Sequence, residues 1–341
     1  MKSLNVILAF LFISFASLAQ LQEEKPYMVK TFPANAIKNL KMTTSGGGLY
    51  VFGTTDSEAK IEVLIQGNGG NNEITKEEIE ERLKNYDFSI TQQGDAIIAS
   101  SKSKANTWNK KGLSISFKAI VPQNIITDLT TSGGELYFKN VAGNAIGRTS
   151  GGSITIKNCK NKVNLSTSGG SVYADKSSGD IDLITSGGSI AATDLEGKIN
   201  LRTSGGSISL DNLRGTISAI TSGGSIKANE LRGESIVKTS SGSVILHEIY
   251  GSIEASTSAG SIDAEILELG KSLNLSVSAG NMTVKMPMDK GVTFDCTAQN
   301  IEADPMNNFS GTVEKKSIRG KLNGGGIPVN LKVGSGTLTM R

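Results

Sequence analysis

Histidine and tryptophan each occur once in the 341 residues, cysteine twice and proline six times, and aromatic residues make up 5%. One histidine and two cysteines leave no ligand set for a transition-metal site. Low proline beside 40 glycines excludes collagen, and glycines that recur at fixed positions do not describe a disordered chain. Sparse aromatics weaken a sugar-stacking lectin. A net charge of +3 without a basic run, or basic and aromatic residues interleaved, gives no sign of nucleic acid. Long apolar runs are also missing, apart from Leu4 to Phe15. That run follows Lys2 and precedes Ala16-Ser17-Leu18-Ala19, so residues 1–19 read as a secretory signal peptide cleaved after Ala19. It is too short for a membrane anchor, and no cysteine follows the cleavage point to carry a lipid. The expected mature product is exported, with no membrane span.

What the chain has is a repeat. Thr-Ser-Gly-Gly begins at Thr131, Thr149, Thr167, Thr185, Thr203 and Thr221, followed by Thr-Ser-Ser-Gly at Thr239 and Thr-Ser-Ala-Gly at Thr257, at one unvarying interval. A short fixed period, here about 18 residues, marks a supersecondary unit that buries its apolar face by stacking on its neighbours. Within the unit opening at Thr203, apolar residues stand at positions 6 and 8 (Ile208, Leu210), 11 (Leu213), and 15 and 17 (Ile217, Ala219). Spacing of two within each pair, with branched residues, predicts two short strands per unit, and glycines at positions 3, 4 and 13 predict corners. The reading is an all-β fold, a right-handed parallel β-helix of about 18 residues per coil, since parallel crossovers are overwhelmingly right-handed. A triangular hexapeptide helix fails because position 12 is mostly polar (Lys160, Glu196, Arg214, Arg232), and a calcium roll fails because Ser-Ile or Ser-Val follows the Gly-Gly of every repeat after the first, which has Glu135-Leu136. The opening Thr sits in phase with interior positions 15 and 17, which suits a structural hydroxyl ladder and not an ice-binding array.

Residues 20–130 read as a first coil plus a capping segment, and 131–341 as the repeats. The first coil is Ile37 to Tyr50, with its own Thr44-Ser-Gly-Gly. Gly67 to Asn72 reads as a flexible loop. Thr75-Lys-Glu-Glu78 is a capping box opening a helix over 75–86 with Ile79, Leu83 and Tyr86 on one face. Strands are expected at Asp87 to Thr91, Asp95 to Ser100 and Gly112 to Val121. After Thr257 the coils loosen, Cys296 aligns with the opening position of its unit, and Val333 to Met340 reads as a last half coil, covered by the Gly324-Gly-Gly326 excursion or by another protein. Cys159, at position 11, and Cys296 are expected to be buried free thiols, too far apart to bridge.

No catalytic, cofactor-binding or metal-ligating residue is assigned. Asp175, Asp194, Asp211, Glu230, Glu248 and Glu265 recur once per coil beside the corner, as a solvated ladder. Asp180 and Asp182 are the nearest approach to a carboxylate pair, and are expected to point to opposite faces or to solvent. His247 reads as a surface turn partner of Glu248. Basic residues outnumber acids six to two from Thr131 to Lys176, whereas Thr239 to Gly270 holds five acids and no lysine or arginine.

The leader, the early Gly-rich coil, the strand ending Ala119-Ile-Val-Pro-Gln123 and the iterated Thr-Ser-Gly-Gly-Ser-Ile together resemble the bacterial putative-adhesin family, a domain of unknown function similar to the autotransporter-adhesin-type head domain family. The resemblance spans about residues 30–341 and implies a cell-envelope β-solenoid, with no active-site motif to carry over. The functional expectation is an exported, non-enzymatic adhesin or envelope scaffold, located in the periplasm, at the cell surface or outside the cell. Its partner would be an envelope or surface protein or a glycan, and end-to-end self-association is a further expectation. A polysaccharide lyase or glycoside hydrolase is the alternative.

Overall fold

The computed structural model describes residues 25–68, 74–104 and 112–341, so the expected leader, and most of the Gly67 to Asn72 loop, lie outside the described residues. The described residues are all-β apart from one α-helix and a single 3-10 turn, and their strands form one continuous solenoid-like sheet. From Ile154 to Lys238 the strands pair in parallel with the strand one unit on: Ile154 with Val172, Ile190 with Ile208, Leu213 with Leu231, Ile217 with Ser235. Positions 6, 8, 11, 15 and 17 point inward, as Ile208, Leu210, Leu213, Ile217 and Ala219 are at most 1% exposed. A fully buried branched side chain contributes about 1.5–3 kcal/mol, and each coil repeats that set over the one below.

Two glycine columns are set by space. At position 4, a Cβ on Gly206 would lie 2.0 Å from the carbonyl oxygen of Gly188, one coil below. At position 13, Gly197, Gly215 and Gly233 take φ of +126°, +120° and +119° and also lie against the backbone below. Position 3 has no such need, since the nearest atom to a Cβ on Gly205 is 3.6 Å away. The opening Thr is buried and joins the corners: the Thr203 hydroxyl donates to Gly188 O at 2.7 Å and accepts from Gly206 N–H at 3.2 Å. Thr149, Thr167, Thr185 and Thr221 repeat both bonds, so the hydroxyl ladder is structural.

Both ends depart from simple stacking. The N-terminal coil, Asn39–Thr44 and Leu49–Thr54, lies directly against the Thr131 coil, with Thr44 beside Thr131 and Leu49 beside Leu136. Its other side is covered by Ala96–Ser103 and Leu113–Pro122. Antiparallel strands complete this end: Tyr86–Gln93 on the first of these, then Glu58–Gly67 and Met28–Pro33 on the second. The expected helix is Lys76–Leu83 with both capping-box bonds of Thr75 and Glu78; it ends early because Tyr86 begins a strand.

The C-terminal end is built the same way and corrects the sequence reading. Ile327–Ser335 does not finish the stack; it lies between Ile262–Ala279 and Val292–Thr297, so Leu331 sits between Leu275 and Cys296. Thr337–Met340 likewise lies between Met282–Lys285 and Asn300–Ala303. The antiparallel hairpin of Phe309–Glu314 and Ser317–Leu322 closes the end, and the glycines 324–326 form the turn leading back into the stack. Cys296 therefore belongs to the row of Leu275 and Ala255, two residues before the opening row of Thr257 and Val277. Both cysteines are free and buried; burial first raises their thiol pKa, Cys159 to about 11 and Cys296 to about 12.

A candidate ligand-binding face

On the second strand of each coil, positions 14, 16 and 18 alternate with the buried positions 15 and 17 and so point outward. Stacking turns them into three lines of side chains. Position 14 runs Lys162, Asp180, Lys198, Thr216, Glu234; position 16 runs Asn164, Asp182, Asn200, Ser218, Ile236. A groove of about 430 Å³ crosses this face, lined by Lys162, Asp180, Asp182, Lys198, Asn200 and Arg202 among others. Asp180 and Asp182 thus share one outward face; residues two apart on a strand always do, which corrects the expectation of opposite faces and leaves the alternative, that both point to solvent. Asn200 Nδ2 donates to Asp182 Oδ1, and Arg202 Nε donates to Asn200 Oδ1 at 3.1 Å, which fixes the guanidinium at the rim. No ion pair joins Lys162, Asp180 or Lys198 to another described residue. Further along the same face the charges are already paired: Lys238 with Glu254, and Lys271 with Glu234.

This face also carries most of the large apolar residues left open along the coils. Ile146 and Ile236 at position 16 are 45% and 39% exposed, Ile126 at position 14 is 45%, and Ile184 at position 18 is 37%. Most other isoleucines of the repeat lie inside, with Ile220 and Ile245 half-buried on outward positions, so these four stand out. Sequence reading passed over them, because isoleucine in a repeat signals core unless its parity is checked.

The corner acids are placed as a ladder, though not all are free in solvent. Asn212 donates to Asp194 at 2.6 Å and Asn229 to Asp211 at 2.8 Å, each across one coil. His247 faces Glu265 of the next coil at 3.7 Å and not Glu248; Lys285, bound to Glu265 at 2.7 Å, is the main cause holding that carboxyl below its ordinary value. A smaller depression follows this corner beside Lys176, Asp194, Glu196 and Arg214. Position 10 in this corner is left-handed at Asn140, Asn158, Lys176, Asp194, Asn212, Glu230 and Glu248, with φ from 49° to 58°. No glycine marked that turn in the sequence.

A third cluster lies on the outer side of the first strands near the N-terminal end. Phe52 and Tyr137 rings are 5.4 Å apart, Tyr50 and Tyr137 6.5 Å, and Lys118 lies 5.9 Å over Phe52. Burial raises the Glu62 carboxyl, but hydrogen bonds from Lys60 and Lys118 outweigh it and hold the group below its usual value. Tyr137 is buried, and burial first pushes its phenol up to about 12. Among the described residues no group of three or more His, Cys, Asp or Glu is placed to hold a metal, and no helix is long and apolar enough to cross a membrane.

No family model and no curated protein matches the chain. Among solved structures it is similar to one described as a putative cell adhesion protein from Clostridium sporogenes ATCC 15579, at 12% identity over 93% of this chain and 99% of that one, with a TM-score of 0.22. Another, described as a putative adhesin from Bacteroides fragilis NCTC 9343, is 12% identical over 92% of this chain and 96% of that one, with a TM-score of 0.31. Superpositions this loose carry no argument about role; the strand pairings above carry the fold.

Proposed function

We propose that this protein is an exported, non-enzymatic adhesin or envelope-binding rod that works through the outward face of its second strands. Its coils, of about 18 residues each, would wind as a right-handed parallel β-helix. One observation carries this reading: that face joins unpaired Lys162, Asp180 and Lys198 to exposed Ile146, Ile184 and Ile236 on a single rigid sheet. Rigid backbone spends little ordering free energy on binding, and a mixed polar and apolar patch is the usual make-up of a recognition surface.

The test is retention of the mature chain, residues 20–341, by envelope fractions and a glycan array. Wild type should be retained, and a variant with Lys162→Glu and Lys198→Glu should lose most of that retention while keeping its melting temperature. Equal retention of both removes the reading. Asp180 and Asp182 on one groove favour a second reading, polysaccharide cleavage. Product release from a polysaccharide panel, abolished by Asp180→Asn or Asp182→Asn, would replace the first.

A further inference from the structure

We propose that the partner of this face is a second copy of the same chain, docked side by side with its axis reversed. The inference rests on the reading that this face is the working surface, and names its occupant.

Three features of the face point to a copy of itself. The first is its period. Its side chains recur once per coil, about 4.8 Å apart, whereas side chains on one face of an extended peptide recur at about 6.7 Å and fall out of step within two coils. Another stack of strands keeps the same period. The second is self-complementarity. A two-fold axis lying along the strands, midway between the coils of Asp180 and Lys198, sets Asp180 against Lys198 of the second copy, and Lys198 against its Asp180. The same axis sets Asp182 against Asn200, Asn164 against Ser218 and exposed Ile146 against exposed Ile236, each twice, as a closed isologous contact requires. The third is shape. The groove lies at that axis, so each copy's Lys198 has a hollow to enter.

Other arrangements lose this match. Moving the axis half a coil sets Asp180 against itself in one direction and Lys198 against itself in the other. Moving it a full coil towards Lys162 keeps a charge match, Asp180 to Lys162, but sets Ile146 on Asn200 and Arg148 on Arg202. Parallel axes set Lys198 on Arg202. Across the coils from Ile146 to Ile236 the chosen register holds one like-charge approach, Arg148 to Lys238, and Lys238 is already neutralised by Glu254; one coil further out Asp128 meets Glu254, each already paired with a lysine of its own copy. Six coils of about 4.8 Å by five residues of about 3.3 Å make roughly 500 Å² per copy, about 1,000 Å² in all, the size of a weak, reversible contact. Reversed axes are also the geometry in which rods standing on two facing surfaces meet.

Sedimentation velocity over a concentration series tests this on the mature chain. The expected result is a monomer–dimer equilibrium that weakens with salt. Asp180→Lys and Lys198→Asp should each weaken it roughly tenfold or more, and the double swap should restore it, because only an Asp180–Lys198 contact survives exchange of the two charges. Cross-linking fixes the geometry independently: Ile146→Cys mixed with Ile236→Cys should form a disulfide-linked dimer, and either alone should not. The native thiols are buried and do not compete. A monomer at every concentration and salt, an unrestored double swap, or a dimer cross-linked through Ile146→Cys alone overturns the proposal. Dimers that no envelope fraction retains would leave this inference standing and remove the adhesin reading; a monomer that is retained would do the reverse.

Discussion

In the middle of the solenoid each coil rests on the coil next in sequence, whereas at both ends it rests on chain far away. Thr149 lies beside Thr167, one repeat on, but Thr44 lies beside Thr131 and Val277 beside Val333. At each end the coil nearest the chain terminus is slipped beneath a layer from elsewhere, and antiparallel strands close the outside. The physical reason is the open edge. A last coil left bare would present a row of unpaired backbone groups and apolar side chains, a template for aggregation. A parallel repeat cannot end itself, so the cap must come from non-repeating chain, and a hairpin turned the other way supplies it.

The largest test of this contrast removes similar amounts of chain from the two kinds of region. Deleting residues 203–220 joins Arg202 to Thr221 and leaves every remaining strand with a partner of the same kind. It should still fold cooperatively, with stability lowered by about one repeat. Stopping after Gly326 removes buried Val329, Leu331, Val333, Leu338 and Met340, roughly 8–15 kcal/mol of apolar burial, and leaves Leu275 and Cys296 facing an empty layer. Native-state hydrogen exchange should show the C-terminal layers opening in the truncated chain alone. A coil deletion as damaging as the truncation would end the distinction.

Legibility follows the same line. The period exposed the middle coils, their inward positions and the threonine column, because each neighbour was the next repeat in sequence. The capping box at Thr75 was equally local and equally visible. Leu331 between Leu275 and Cys296 was invisible, since nothing local to it names either partner, and Cys296 was consequently placed two residues out of row. The face was partly legible: positions 14, 16 and 18 alternate with core positions. Yet Asp180 and Asp182 were read as pointing to opposite faces or to solvent, although their spacing puts them on one face, and Ile146 and Ile236 were passed over. The corner beside position 10 was read, but its left-handed backbone went unseen because Asn, Asp, Lys and Glu fill it and only glycine was being read for positive φ.

Within the middle, the two adjacent glycines should behave differently. Gly206→Ala drives a methyl into the Gly188 carbonyl and is expected to cost about 3 kcal/mol or more, whereas Gly205→Ala meets only ordinary contacts and should stay within about 0.5 kcal/mol. Urea unfolding of the pair decides it. Equal costs would mean that the coils are not packed as closely at position 4 as their backbone distances require.

The thiols report on the two regions separately, Cys159 among the repeats and Cys296 beneath the C-terminal cap. Each has an ordinary value of 9.0 and is raised in the folded protein, first by burial, to about 11 and about 12. Above pH 9 the unfolded chain releases thiol protons that the folded chain retains, so stability falls as pH rises. The loss is about 1.4 kcal/mol per pH unit for each thiol. It runs to about pH 11 for Cys159 and about pH 12 for Cys296. Cys159→Ala and Cys296→Ala should each flatten the slope of stability against pH measured from 9 to 11. At pH 8 in mild denaturant, a thiol reagent should reach Cys296 before Cys159 if the cap opens ahead of the repeats. The opposite order would place the weak point in the middle.

The smallest effect expected is a gain. Lys176 occupies the left-handed turn at φ 49° where Asn140, Asn158 and Asn212 occupy it in other coils. An ordinary side chain there crowds its own carbonyl, at a cost of about 1–2 kcal/mol, and asparagine tolerates the conformation better. Asn158 also donates its amide to Asn140 at 2.7 Å across one coil, so an asparagine at 176 would lengthen an existing ladder. Lys176→Asn should therefore raise the urea midpoint, by about 0.5–1 kcal/mol in stability, and Asn212→Lys should lower it by a similar amount. The repeat predicts opposite signs for these two changes at one position of the coil, and a common sign would mean that the column is held by its neighbours and not by its own backbone preference.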